Sequence, residues 1–192
     1  VRLAQTLGVT TSTLTSPLMN FLFWRKKQPD SLPPEKLAWN LIYMATDPDK
    51  CWEVASQFRR TALPGNVVTC ETAFLLASVS RNIIRSTLRP EFQEKALLSA
   101  EAAFAKAFDE ASEEEQPPEM VAAYGGGSLR DVASAAFRDY AREDDFLPVT
   151  LPNFVRRIRG DPRMALEIQP LIEERQAVLR GAFKDLLGAA AR

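Results

Sequence analysis

Between Pro90 and Ala111 the apolar residues Leu97, Ala100, Phe104, Ala107, Phe108 and Ala111 step by three and four. That spacing sets them on one stripe of a helix and fits no pleated strand. Glu94, Lys95, Glu101, Lys106 and Asp109 fall between them, so the opposite face is made for water. A second stripe closes the chain, through Leu171, Ile172, Val178, Leu179, Ala182, Phe183, Leu186 and Leu187. The two stripes predict Leu97, Phe104, Phe108, Val178, Phe183 and Leu187 together in one core. Strand signals reduce to Asn66–Thr69 and Val149–Leu151, each short enough to lead into a helix. The fold class is therefore all-α, a single-domain helical bundle of about seven helices with an N-terminal arm.

Prolines and turn residues divide the chain. Pro33-Pro34 opens a helix through Met44 that is apolar nearly all round and is expected to lie at the centre of the fold. Asp47-Pro48 caps the next, from Lys50 to about Thr61. After the turn Leu63-Pro64-Gly65-Asn66, Thr69 or Thr72 caps a helix reaching about Leu88. Leu129–Arg142 gathers Val132, Ala136, Phe137 and Tyr140 on one side, Pro152 begins a short basic helix, and Pro170 kinks or divides the last one. Residues 113–128 carry Glu113-Glu114-Glu115, Pro117-Pro118 and Gly125-Gly126-Gly127-Ser128. This segment predicts an exposed, mobile connection with at most a turn or two of helix over Glu119–Tyr124. The glycine run reads as a native joint, with an engineered linker as the alternative. The domain layout is an arm over 1–30 (with a possible short helix) and a helical domain over 31–192. A chain that begins at Val1 reads as a trimmed or processed piece.

The 192 residues include no histidine, which removes Ser-His-Asp and Cys-His catalysis, His-ligated haem, His-containing zinc sites and the non-haem iron triad. Asp47 with Asp49, and Asp144 with Asp145, lack the oxygen spacing of a calcium loop, and Gly125–Gly127 lacks the Lys-Ser/Thr of a phosphate loop. A Ser-Lys or Thr nucleophile needs no histidine, but no spacing marks one. No catalytic residue, metal ligand or cofactor is assigned. The net charge of −1 supplies no global field for nucleic acid or anionic lipid. Cys51 and Cys70 read as buried free thiols of a reducing, cytoplasmic compartment, a bridge between adjacent helices being the alternative. No apolar run approaches the length that spans a bilayer.

Three segments carry binding chemistry. The first is Leu3-Ala4-Gln5-Thr6-Leu7-Gly8-Val9-Thr10-Thr11-Ser12-Thr13-Leu14. Its small Ala4, turn Gly8 and packing Val9 and Leu14 give it a spacing that resembles the helix-turn-helix of bacterial repressors. The resemblance implies a DNA-binding transcriptional regulator that uses residues 2–18. Pro17 interrupts the place of the recognition helix, and no Lys or Arg between Arg2 and Arg25 can meet phosphate. The favoured reading of this stretch is a helix followed by a Thr-rich extended arm.

The second segment is Leu18, Met19, Phe21, Phe23 and Trp24, followed by Arg25, Lys26 and Lys27. Aromatics beside cations suit a protein partner or a second copy better than a membrane surface, for which three cations are few. The third is the run Arg156, Arg157 and Arg159 with Arg163. It is a candidate patch for an anion or acidic partner, or else a helix face paired with Asp144-Asp145 or Glu113–Glu115. The function expected is a non-enzymatic helical interaction protein, a regulator, adaptor or assembly factor, that binds another protein through the aromatic-basic arm. The alternatives are the DNA-binding regulator and a histidine-free enzyme or ligand-binding protein with a pocket inside the bundle.

Overall fold

The computed structural model describes residues 33–190, apart from 59–60, 114–116, 126–127 and 141–145. The arm over 1–30, including the repressor-like segment and Leu18, Met19, Phe21, Phe23, Trp24, Arg25, Lys26 and Lys27, lies outside the described residues. Eight helices and no strand form among those that are described: α1 (Pro34–Ala45), α2 (Pro48–Ala55), α3 (Gly65–Thr87), α4 (Pro90–Glu113), α5 (Pro118–Tyr124), α6 (Leu129–Asp139), α7 (Phe146–Arg157) and α8 (Met164–Ala190). The all-α bundle read from the periodicity is thus the fold.

The central element is α3, which touches each of the other seven helices. Its polar residues disguise this in the sequence. Thr72, Ser78 and Ser80 are buried, and their hydroxyls donate to the carbonyls of Val68, Leu75 and Leu76 at 2.7–3.0 Å. Each hydroxyl is satisfied inside its own helix, so residues 70–80 of α3 are buried on every side despite them. By length and composition α3 could cross a bilayer, yet 83% of its most apolar window is buried within the bundle. The apolar α1, expected at the centre, instead lies at the surface. It buries Leu37, Ala38, Leu41, Ile42 and Ala45 and leaves Trp39 and Tyr43 40% and 51% exposed.

The Pro90 stripe packs in most of its length, with Ala100 and Phe104 buried and Leu97 and Phe108 partly so, but Ala107 is exposed and Ala96 is buried in addition. Phe104 meets Phe74, Phe108 and Phe137 at ring-centroid distances of 5.9, 5.1 and 5.8 Å, geometries that favour aromatic contact. The terminal stripe is narrower than expected. Phe183 is fully buried and Leu187 packs against the core, but Val178 is 55% exposed. The inward line of α8 runs through Ile168, Ile172, Leu179 and Phe183, and the side chain next to Leu179 turns to solvent.

Helix boundaries differ from the reading at four places. The third helix begins at Gly65, so Thr69 and Thr72 lie within it and cap nothing. Pro152 does not start α7 but sits inside it, and Pro170 neither kinks nor divides the helix assignment of α8. Pro152 and Pro170 are both exposed, as are Pro148 and Leu166 four residues before them. The carbonyls that lose a helix partner therefore face water. Finally, the second helix, expected to reach about Thr61, ends at Ala55. The turn or two of helix expected over Glu119–Tyr124 forms as α5, whose Met120 is buried and whose end at Gly125 adopts the left-handed φ of 77°. An αL glycine is a standard helix stop.

A further stop ends α7. The Gly160 N–H donates to Val155 O and the Arg159 N–H to Arg156 O, a Schellman motif that requires a left-handed residue at position 159. Arg159 fills it at φ 53°, a conformation costing an L-residue roughly 1–2 kcal/mol. The next residue is glycine for a different reason, space: a Cβ on Gly160 would meet Met164 Sδ at 2.8 Å. Arg159→Gly should therefore raise stability by about 0.5–1 kcal/mol after the entropy of the added glycine is counted. An unchanged or lower midpoint in urea unfolding would contradict the strain assigned to Arg159.

Candidate functional site

The densest polar grouping is built on Glu71, which is 3% exposed in the second turn of α3. Arg157, the last residue of α7, grips it in a bidentate pair, Nε to Oε2 at 2.6 Å and Nη2 to Oε1 at 2.8 Å. The Tyr124 hydroxyl donates to Oε1 at 3.0 Å and the Tyr140 hydroxyl to Oε2 at 3.1 Å. Tyr124 ends α5 and Tyr140 caps α6. One carboxylate therefore fastens the C-terminal ends of three helices to the flank of the central one.

The Arg157 guanidinium also lies over the Tyr140 and Phe74 rings, at 5.4 and 5.9 Å, which adds cation–π attraction. Burial opposes its charge, but the bonds and charge of Glu71 outweigh burial and raise its pKa. Burial likewise raises both tyrosines, with the Glu71 charge adding to it. They remain hydroxyl donors throughout the neutral range. Each Glu71 oxygen accepts two bonds, which fills its in-plane lone pairs. The Tyr–Arg grouping that could have served ligand chemistry is thus consumed by a structural partner.

Beside this knot lies a cavity of about 370 Å³ bounded by α1–α6 and the α1–α2 turn. Buried Cys51, Cys70, Ala73, Met120 and Leu129 form its inner wall. Exposed Tyr43, Pro48, Asn66 and Ala107 stand at its mouth, with Thr46, Asp47, Thr69 and Phe108 between. On α3 the lining residues Asn66, Thr69, Cys70 and Ala73 follow helical spacing, so the cavity runs along the flank of that helix. Cys70 joins the two sites, because its sulfur is a hydrogen-bond partner of the Tyr124 hydroxyl. Both cysteines are free and buried. Burial pushes each thiol up to about 12, so neither is a nucleophile at neutral pH.

The arginine run does not act as one patch. Arg157 pairs with buried Glu71 while 37% of its side chain stays in water, and Arg156, Arg159 and Arg163 are exposed away from that pair. Arg156 donates to Asn153 Oδ1 at 3.3 Å. The acids Asp144, Asp145, Glu114 and Glu115, offered as partners from the sequence, lie outside the described residues, and the Glu113 side chain is likewise not described. Opposite the buried face of α1, Trp39 and Tyr43 stack at 5.4 Å with an interplanar angle of 8°. This aromatic ledge reaches the cavity mouth through Tyr43.

Sequence reasoning missed Glu71, Tyr124 and Tyr140 as a group. One signal was present: Glu71 is flanked at helical spacing by Val67, Val68, Phe74 and Leu75, and a lone acid on an apolar face demands a buried partner. Among the described residues, no group of three or more Cys, Asp or Glu could hold a metal ion. No protein-family model, curated protein or solved structure matches this chain.

Proposed function

We propose that this chain is a non-enzymatic helical interaction protein of the cytoplasm, which works by association through its aromatic-basic arm and the ledge on α1. The observation that carries the reading is the exposed Trp39–Tyr43 stack. Two adjoining rings held in water by a helix whose other face is buried form an anchor of the kind enriched at protein interfaces. The partner to which we commit is a second copy of the chain.

Charge supports that choice. Residues 1–27 hold Arg2, Arg25, Lys26 and Lys27 and no acid. Setting their four positive charges aside from the net −1 leaves the remaining residues at −5. The arm of one copy and the body of another are thus complementary, and complementary charge steers encounter. Pro33 enters α1 in an extended conformation, φ −62° and ψ 147°, as Pro34 enforces. The two free thiols agree with a reducing compartment.

Sedimentation velocity at tens of micromolar should give the mass of an oligomer for the full chain. Deleting residues 1–27, or combining Trp39→Ala with Tyr43→Ala, should give a monomer with unchanged helical circular dichroism. A full chain that sediments as a monomer, or variants that keep the larger mass, would overturn the reading.

A further inference from the structure

We propose that the cavity beside α3 is a binding site for a small protonated amine carrying a compact apolar body, such as an arylalkyl amine. This goes beyond association through the arm; the two sites meet only at Tyr43, which stands in the ledge and at the cavity mouth. The walls select the body, and the accounting of hydrogen bonds selects the head.

The volume of about 370 Å³ falls in the range of small-molecule pockets, roughly 300–1,000 Å³. It exceeds the ~150 Å³ of a cavity that accepts a benzene ring, so a ring and a short chain both fit. The inner wall offers Ala73, Met120, Leu129 and two protonated thiols. Methionine and thiol sulfur are polarisable and pack well against aromatic rings.

The polar groups nearer the mouth have mostly spent their protons. The Thr46 hydroxyl donates to Ile42 O at 2.8 Å, and the Thr69 hydroxyl to Gly65 O at 2.8 Å. The Cys51 thiol points to Ala45 O at 3.6 Å, and Asn66 Nδ2 donates to Glu119 Oε1 at 2.9 Å. What these hydroxyls still present is oxygen lone pairs. Asp47 adds a carboxylate, of which Oδ1 accepts the Lys50 N–H at 3.2 Å, leaving Oδ2 as an acceptor.

A site lined by acceptors around one negative charge asks for a cationic donor and repels an anion. The reach of that charge is seen at the inner wall, where Asp47 adds to the burial that raises the Cys51 thiol and outweighs the opposing charge of Arg175. The N-terminus of α2 does not reverse the sign, because Asp47 is its cap. At the mouth, the Tyr43 ring supplies an aromatic face for the same cation.

The test is calorimetric titration of the full chain with 2-phenylethylamine, 2-phenylethanol and 3-phenylpropionate. They share a body and differ in head charge. The methyl resonance of Met120 in methionine-labelled protein reports occupancy of the inner wall. We expect the amine to bind at least tenfold more tightly than the alcohol, to shift the Met120 methyl, and the carboxylate not to bind. Asp47→Asn, which keeps a capping side chain, should remove the preference for amine over alcohol. Ala107→Phe, at an exposed position of α4 on the mouth, should block both. The proposal falls if no probe binds at millimolar concentration, if the carboxylate binds as well as the amine, or if binding leaves Met120 unmoved. It also falls if Ala107→Phe binds the amine like the parent chain.

Discussion

Arg157→Leu is expected to lower the free energy of unfolding by about 3 kcal/mol, with a fall in Tm of roughly 6–12 °C for a chain of this size. Removing one member of a buried ion pair leaves the other charged and without its counter-ion. Glu71, at 4% side-chain exposure, cannot turn to water, and the two tyrosine hydroxyls do not replace a bidentate guanidinium. The figure is set at the low end of the range for buried pairs because water reaches 37% of the Arg157 side chain. That exposure also makes the pair asymmetric. Glu71→Gln should cost less than Arg157→Leu, since the freed guanidinium can reach solvent while the amide still accepts from a tyrosine. Glu71→Leu combined with Arg157→Leu should recover part of the single loss, because neither charge is then stranded. Arg156→Leu and Arg163→Leu, on exposed side chains, should stay within about 0.5 kcal/mol. Urea unfolding of these variants separates the knot from a general effect of arginine loss. Equal small effects at Arg156 and Arg157 would remove the Glu71 pair as a support of the fold.

The contrast between these arginines marks what the sequence could and could not reveal. Periodicity identified the Phe104 and Phe183 faces because a helix buries residues at a fixed angular step, which depends on local spacing alone. It failed at Val178, where two adjacent apolar residues compete for one inward direction and only the neighbouring helices decide. It failed again in ranking α1 above α3. An exposed aromatic and a buried serine both run against simple hydrophobicity, and the serines of α3 hide their hydroxyls within their own helix. The Glu71 knot gathers residues 71, 124, 140 and 157, whose spacing follows no helical or strand period. Its visible trace was the isolated acid on an apolar face. The cavity left still less trace, since Asp47, Cys51, Cys70, Met120 and Leu129 converge only through the packing of six helices.

That packing makes the fold sensitive to alkali. The folded thiols of Cys51 and Cys70 are each raised to about 12, chiefly by burial, whereas an unfolded cysteine ionises near pH ~8.5. Above that pH the unfolded chain sheds protons that the folded chain keeps, so the contribution is full below about 8.5 and is lost as pH rises toward about 12. With two thiols the slope approaches about 2.7 kcal/mol per pH unit, and some 4 kcal/mol is gone by about pH 10. Tyr124 and Tyr140 act in the same direction. Their folded pKa values are raised by burial and by Glu71, and their share of the loss begins above the unfolded tyrosine value of about 10. Urea midpoints measured from pH 7 to pH 10.5 should therefore fall steeply from about 8.5 in the parent chain. The Cys51→Ala, Cys70→Ala variant should hold its midpoint to about pH 10 and then decline as the tyrosines are drawn out of the fold. A parent chain whose stability is level between pH 8 and 10, or a double variant with the same early decline, would show that the thiols are not held protonated by burial.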